Sequence, residues 1–216
     1  MAQAGNGGPA IEVVETPDVD AAIQERQGQP LPAALPVLPL KEMVPYPDTL
    51  TPLAVGQPRS IKLVNEVLSG ERTLALVASR DPDVDQPGPD QLHEVGVAGV
   101  VARMLKVPDG TIRILVQAGE RVRVGDFVTE DPYLVARIEP LPDELDETPE
   151  LEALTHNVQR SFSEIIEQIP YLPEELQLAV TNIDEPSALA HLIAGALRIP
   201  TGTFSMRATT PATPTR

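Results

Sequence analysis

Cysteine is absent from the 216 residues, which excludes disulfides, thiolate metal sites and a catalytic thiol. Tryptophan is absent too, and aromatic residues make up 3% of the chain, so its core must be aliphatic. Lysine occurs only as Lys41, Lys62 and Lys106, and none follows a glycine, which removes the phosphate-cradling G-x-x-x-x-G-K-[ST] loop. No apolar run reaches the roughly 18 residues of a membrane span. The acidic N-terminal stretch lacks the apolar segment of a signal peptide. A cytoplasmic, reducing compartment is the expectation. Positive charge is scarce: 16 Lys and Arg stand against 32 Asp and Glu, a net of −16. That balance argues against a general nucleic-acid binder and against docking on anionic membrane.

Hydrophobic residues make up 42% of the chain, and its length allows one large domain or two small ones. Its 24 prolines are about twice the usual share. The acid is uneven. Residues 141–200 carry 12 Asp or Glu against two Arg, whereas residues 41–140 carry 15 against 11 basic residues. A solvated helical surface is the ordinary reading of that excess.

Residues 1–34, rich in Gly, Pro, Gln and Ala, read as a disordered lead; Ile11, Val13 and Val14 are too few for a core. From Leu35 the run LPVLPLKEMVPYPDTLTPLAV gives a proline-interrupted strand, a rigid Pro45-Tyr46-Pro47 corner and a second strand. A helix follows, with Pro58 at its first position or Ser60 as an alternative cap. Ile61, Val64, Val67 and Leu68 lie on its inner face, and Ser69-Gly70 is its stop. Thr73–Ala78 reads as a buried strand. In the loop Asp81–Asp90, a calcium reading of Asp81, Asp83 and Asp85 fails because Gln86 and Leu92 occupy the positions that need Gly and Glu. The clearest turn is Pro108-Asp109-Gly110, a hairpin joining Val97–Val107 to Thr111–Gln117. Arg121–Val124 and Tyr133–Glu139 alternate as well. After the acidic hinge Pro140–Pro149 the pattern becomes helical. Thr148 can cap a helix whose face carries Leu151, Leu154, Val158, Phe162, Ile165, Ile166 and Ile169. Pro170 stops it, Pro173 opens a second, and Asp184 can cap a third from Pro186. The tail 201–216 has no period and reads as disordered.

The order of the opening parts (Leu35–Leu40, Val44–Pro47, Leu50–Val55, Gly56, Ser60-Ile61) resembles the start of the N-terminal domain of Lon proteases. The likeness continues through Glu94-Val95-Gly96, the Pro108-Asp109-Gly110 turn with its Thr111-led strand, and the run Glu185–Ala194. It stops after Arg198-Ile199-Pro200-Thr201. The question stays open whether the chain ends here or its last residues belong to a truncated or shifted frame. The resemblance implies an α+β fold: a PUA-like β pseudo-barrel over residues 35–140, then a small α-helical bundle over 141–200. It also implies a domain that binds unfolded or damaged polypeptides and supports assembly in ATP-dependent proteolysis, with self or full-length Lon subunits as further partners. The family's ATPase and Ser-Lys protease modules have no counterpart in these residues, so an enzyme is not expected.

No catalytic, cofactor-binding or metal-ligating set stands out. His93-Glu94 starts an H-E-x-x-H pattern that Val97 breaks, and His156 and His191 read as surface or capping residues. The first candidate site is Met43, Val44 and Tyr46, apolar groups on a proline-held corner that could bind apolar chains. The alternative is that Tyr46 and its neighbours simply close the β-unit. The second candidate is a basic face of Arg103, Lys106, Arg113, Arg121 and Arg123. It would serve an independent PUA-like module binding RNA or a protein, although the net charge counts against RNA; its alternative is a solvated sheet face. A third reading is a regulator that joins a complete Lon hexamer as an inactive subunit.

Overall fold

The computed structural model describes residues 12–14, 30–146, 148–169 and 174–197. The tail from 201, most of the lead, and Pro170 and Pro173 lie outside them. Seven strands come first: β1 (Glu12–Val14), β2 (Ala34–Leu40), β3 (Leu50–Val55), β4 (Thr73–Ala78), β5 (Val95–Lys106), β6 (Ile112–Thr129) and β7 (Val135–Pro140). Among the described residues one α-helix, α1 (Pro58–Ser69), is inserted between β3 and β4, and three follow the strands: α2 (Pro149–Gln168), α3 (Glu174–Thr181) and α4 (Pro186–Ala196). The sheet order is β1-β5-β4-β2-β7-β6-β3, and β5 also pairs with β6. That extra pairing closes β5, β4, β2, β7 and β6 into a ring. The chain is thus a mixed α+β protein, a near-barrel followed by helices.

β2 shows how a proline-rich segment enters a sheet. Its first half, Ala34–Pro36, pairs with β7, and its second half, Val37–Leu40, pairs with β4. The Val37 N–H donates to the Leu134 carbonyl at 2.8 Å, so Val37 faces β7. Backbone groups alternate sides along a strand. Pro36 therefore turns its nitrogen to the β4 side before β4 begins to pair, and Pro39 turns its nitrogen to the β7 side after β7 has stopped. Neither missing N–H breaks a ladder.

β4 is buried on both faces. Leu74 and Leu76 join Leu38, Leu53, Val101 and Ile114 beneath Leu63, Val64 and Val67 of α1. Ala75 and Val77 join Leu35, Val37, Val122 and Ala136 on the other side. β5 passes so close to β4 that a Cβ on Gly96 would stand 2.4 Å from the Leu76 carbonyl oxygen. The hairpin turn forms where Pro-Asp-Gly places it. Gly110 has φ 83°, and Asp109 Oδ1 accepts from the Thr111 N–H at 2.8 Å and from its hydroxyl at 2.6 Å.

Several local expectations need correction. At α1 only the alternative fails: Pro58 holds the first helical position after Gln57 and the helix stops at Ser69-Gly70 as expected, while Ser60 is not the cap; the left-handed residue beyond the helix is Arg72, with φ 58°. The second hairpin strand does not end at Gln117; β6 runs on to Thr129 because it exchanges β3 for β7 as a partner. Glu12–Val14, placed in the lead on sequence grounds, pairs with Met104–Lys106 of β5. At α4 the cap is Glu185, whose carboxylate accepts from Ser187 and Ala188 N–H, rather than Asp184. Thr148 caps α2 as expected, accepting from the Leu151 N–H at 3.2 Å.

The helices have their own core of Phe162, Ile166, Val180 and Leu189. Residues expected to share the inner face of α2 do not all do so: Leu154 is 58% exposed, and Val158 and Ile165 are also exposed. The apolar arc of α2 is wider than the short helices α3 and α4 can cover.

Candidate functional site

A groove of about 1480 Å³ runs between the sheet and the helices. Its near wall is the end of β2 and the corner after it, including Met43, Val44 and Tyr46. β3 and the first turns of α1 form the floor. Leu176 and Ala179 of α3, with Leu192 and Gly195 of α4, form the far wall.

The corner is fixed by local chemistry. Pro45 and Pro47 restrict the backbone on either side of Tyr46, and the Thr49 hydroxyl donates to the Tyr46 carbonyl at 2.7 Å. Asp48 lies between them with φ 55°. Tyr46 is 7% exposed, and burial pushes its phenol up from the usual 10.0. Of the three corner residues, then, Tyr46 is the buried one. Val44 is half-buried, and Met43 remains 36% exposed on the wall.

The sequence reading missed Leu50, which lines the groove and is 53% exposed. A signal was available: β3 alternates exposed and buried positions, and Leu50 is a large apolar residue on the exposed side. Among the described residues β3 pairs only with β6. The Thr49 carbonyl accepts from the Ala118 N–H at 2.8 Å, so by alternation Leu50, Pro52 and Ala54 turn their backbone groups to the unpaired edge. Pro52 has no N–H to offer there, which blunts the edge. The N–H groups of Leu50 and Ala54 and three carbonyls remain available for an added extended chain.

The two basic residues at the rim, Lys41 and Arg59, already have partners. Lys41 Nζ donates to Asp85 Oδ1 at 2.5 Å, and that bond holds the Asp85 carboxyl below its usual range. Arg59 donates its guanidinium to the Glu130 carbonyl. The groove offers apolar walls and a strand edge, with no nucleophile–base pair on its lining. Its volume exceeds the roughly 300–1,000 Å³ of a small-molecule pocket. No group of three or more His, Asp or Glu that could hold a metal occurs among the described residues. No helix among them is long and apolar enough to cross a membrane.

The five basic residues do not form one face. Arg103 and Arg113 share a side of the hairpin, since Arg103 stands opposite Leu115 and Leu105 opposite Arg113. Lys106 stands opposite Ile112, on the side of buried Met104. Arg121 and Arg123 pair with Val97 and Val95 at the far end of β5. Arg121 is also bound to Asp143.

Residues 34–202 match the family model described as the ATP-dependent protease La (LON) substrate-binding domain. A Lon protease of Dictyoglomus thermophilum is 39% identical over 168 residues, which cover 78% of this chain and 21% of that protein. Lon protease 1 of Herpetosiphon aurantiacus is 36% identical over 174 residues, covering 78% and 21% respectively. The chain thus spans about a fifth of the length of these curated relatives. The N-terminal domain of Mycobacterium avium complex Lon protease has the same fold, with a TM-score of 0.64 at 19% identity over 79% of this chain and 86% of that one.

Proposed function

The chain belongs to the Lon substrate-binding domain family, and from that premise we propose that it is a non-catalytic domain that captures unfolded or damaged polypeptides for ATP-dependent proteolysis in the cytoplasm. The observation that carries this reading is the groove: a volume of about 1480 Å³ with Met43 and Leu50 held out on its walls beside an unpaired strand edge. An extended segment lying there would bury apolar side chains and add backbone hydrogen bonds along β3. Its own ordering would be the main cost, because the walls are already set.

The exposed row Leu154, Val158 and Ile165 on α2 supports a second role in assembly, with copies of itself or with full-length Lon subunits. Several copies presenting the groove together would raise a weak affinity by avidity.

The test is a titration of the purified chain against a permanently unfolded protein and the same protein folded, with and without ATP. Selective binding of the unfolded form without peptide-bond cleavage is expected. Equal binding of both forms, or ATP-stimulated cleavage, overturns the reading.

A further inference from the structure

Asp143 touches both halves of the molecule. It lies in the linker between β7 and α2, and that linker is pinned to the sheet by the Leu141 N–H, which donates to the Arg121 carbonyl at 2.9 Å. The Asp143 carboxylate pairs with the Arg121 guanidinium on β6. Its other oxygen, Oδ2, is 3.7 Å from His191 Nε2 on α4. The three side chains are 26%, 21% and 16% exposed, so water screens the cluster only in part. Arg121 Nε is buried without a hydrogen-bond partner, and Asp143 is the anion paired with this guanidinium among the described residues.

One turn beyond His191, α4 rests on the corner. A Cβ added to Gly195 would stand 3.7 Å from both Thr49 Cγ2 and Tyr46 Cδ2. The seam at α4 therefore has an apolar end at Gly195 and a polar end at His191. Between α3, α4 and the sheet lies the groove.

We propose that Asp143 is a latch: paired with Arg121 on the sheet and lying 3.7 Å from His191 on α4, it fixes the start of the helical part against the sheet and sets the width of the groove. The effect on polypeptide capture rests on the groove reading above; the latch itself does not. Charges that face His191 from every side bear on it: Asp143 in the linker, Arg121 on β6, Asp48 in the corner and Glu185 at the start of α4.

The absence of cysteine allows a clean label pair, Lys62→Cys on α1 and Leu178→Cys on α3, both exposed. Their spin-label distance distribution is measured for the otherwise native chain, Asp143→Asn and Arg121→Gln, alongside titration with an unfolded peptide. Asp143→Asn is expected to lower the ratio of near to far populations by about two- to fivefold, the range of a partly exposed ion pair. Arg121→Gln, which breaks the Arg121–Asp143 pair from the sheet side, moves it the same way, and carries the test alone should Asp143→Asn fail to fold. Unchanged distributions in the folded variants overturn the latch. Shifted distributions with unchanged peptide affinity uphold the latch and remove the groove as the binding site.

Discussion

Replacing Met43 and Leu50 together by alanine tests the groove most directly. Fully burying a Leu or Met side chain is worth about 1.5–3 kcal/mol. Leu50 is 53% exposed and Met43 36% exposed, so a bound chain can still cover about half of one side chain and a third of the other. That amounts to about 1 kcal/mol at Leu50 and about 0.7 kcal/mol at Met43. Alanine keeps its Cβ and recovers a little, which leaves a loss of about 1.5 kcal/mol, or about tenfold in Kd. The readout is fluorescence anisotropy of a labelled unfolded peptide. The control is Val128→Ala, since Val128 is 61% exposed on β6 and does not line the groove. The control should change Kd less than about twofold, and the fold of every variant is checked by circular dichroism, because exposed positions contribute little to stability. A double variant that binds as tightly as the native chain, or a control that loses as much, refutes the reasoning.

Gly96→Ala places a methyl group 2.4 Å from the Leu76 carbonyl oxygen; about 2–3 kcal/mol of destabilisation is expected, with a melting temperature lower by about 5–10 °C. Thermal and urea melts check it, and an unchanged midpoint refutes the close approach of β5 to β4. At His191 burial outweighs the attraction of Asp143 and holds the imidazole below its ordinary 6.5. Helices released from the sheet bind that proton more readily, so the docked arrangement has its full stability above 6.5 and loses it as pH falls toward the depressed value. The label pair should report more of the far population at pH 5.5 than at 7.5, and His191→Gln should flatten that dependence.

What the sequence made legible was local. Pro108-Asp109-Gly110 needs only a fixed φ and one left-handed glycine to turn the chain. Thr148 and Pro149 need only one free hydroxyl and one position that can spare an N–H. What it concealed depended on distant partners. Ala118-Gly119-Glu120 interrupts a strand pattern when read alone, yet β6 passes through it because β7 takes over the ladder at Val122. Glu12–Val14 is three residues long and becomes a strand only because β5 offers it an edge. Tyr46 carries both apolar area and a hydroxyl, which suits a wall and a core equally, and its burial beside Gly195 of α4 depends on a helix far along the chain. Arg103 and Lys106 stand three residues apart on a regular stretch of β5, so strand alternation alone puts them on opposite faces, and the register shift between Val97 and Gly99 separates Arg121 and Arg123 from the hairpin end.

The magnitudes also constrain how such a domain can work. Two partly exposed side chains give about 2 kcal/mol at most, far short of the roughly 8 kcal/mol of a micromolar complex. The rest must come from the β3 edge and from the far wall, where Leu176 and Leu192 add apolar area. Pro52 removes one donor from that edge, so a single groove should bind an extended chain weakly and without demanding its sequence. Weakness at one site becomes useful when sites are linked, since a polypeptide released from one groove meets the next at a high effective concentration. A folded protein offers few extended apolar segments and gains little from the linkage. Under the proposed function, a preference for unfolded chains would follow from shallow apolar walls held rigid by Pro45, Pro47 and the Thr49 hydrogen bond, and a deeper, tighter pocket would serve it less well.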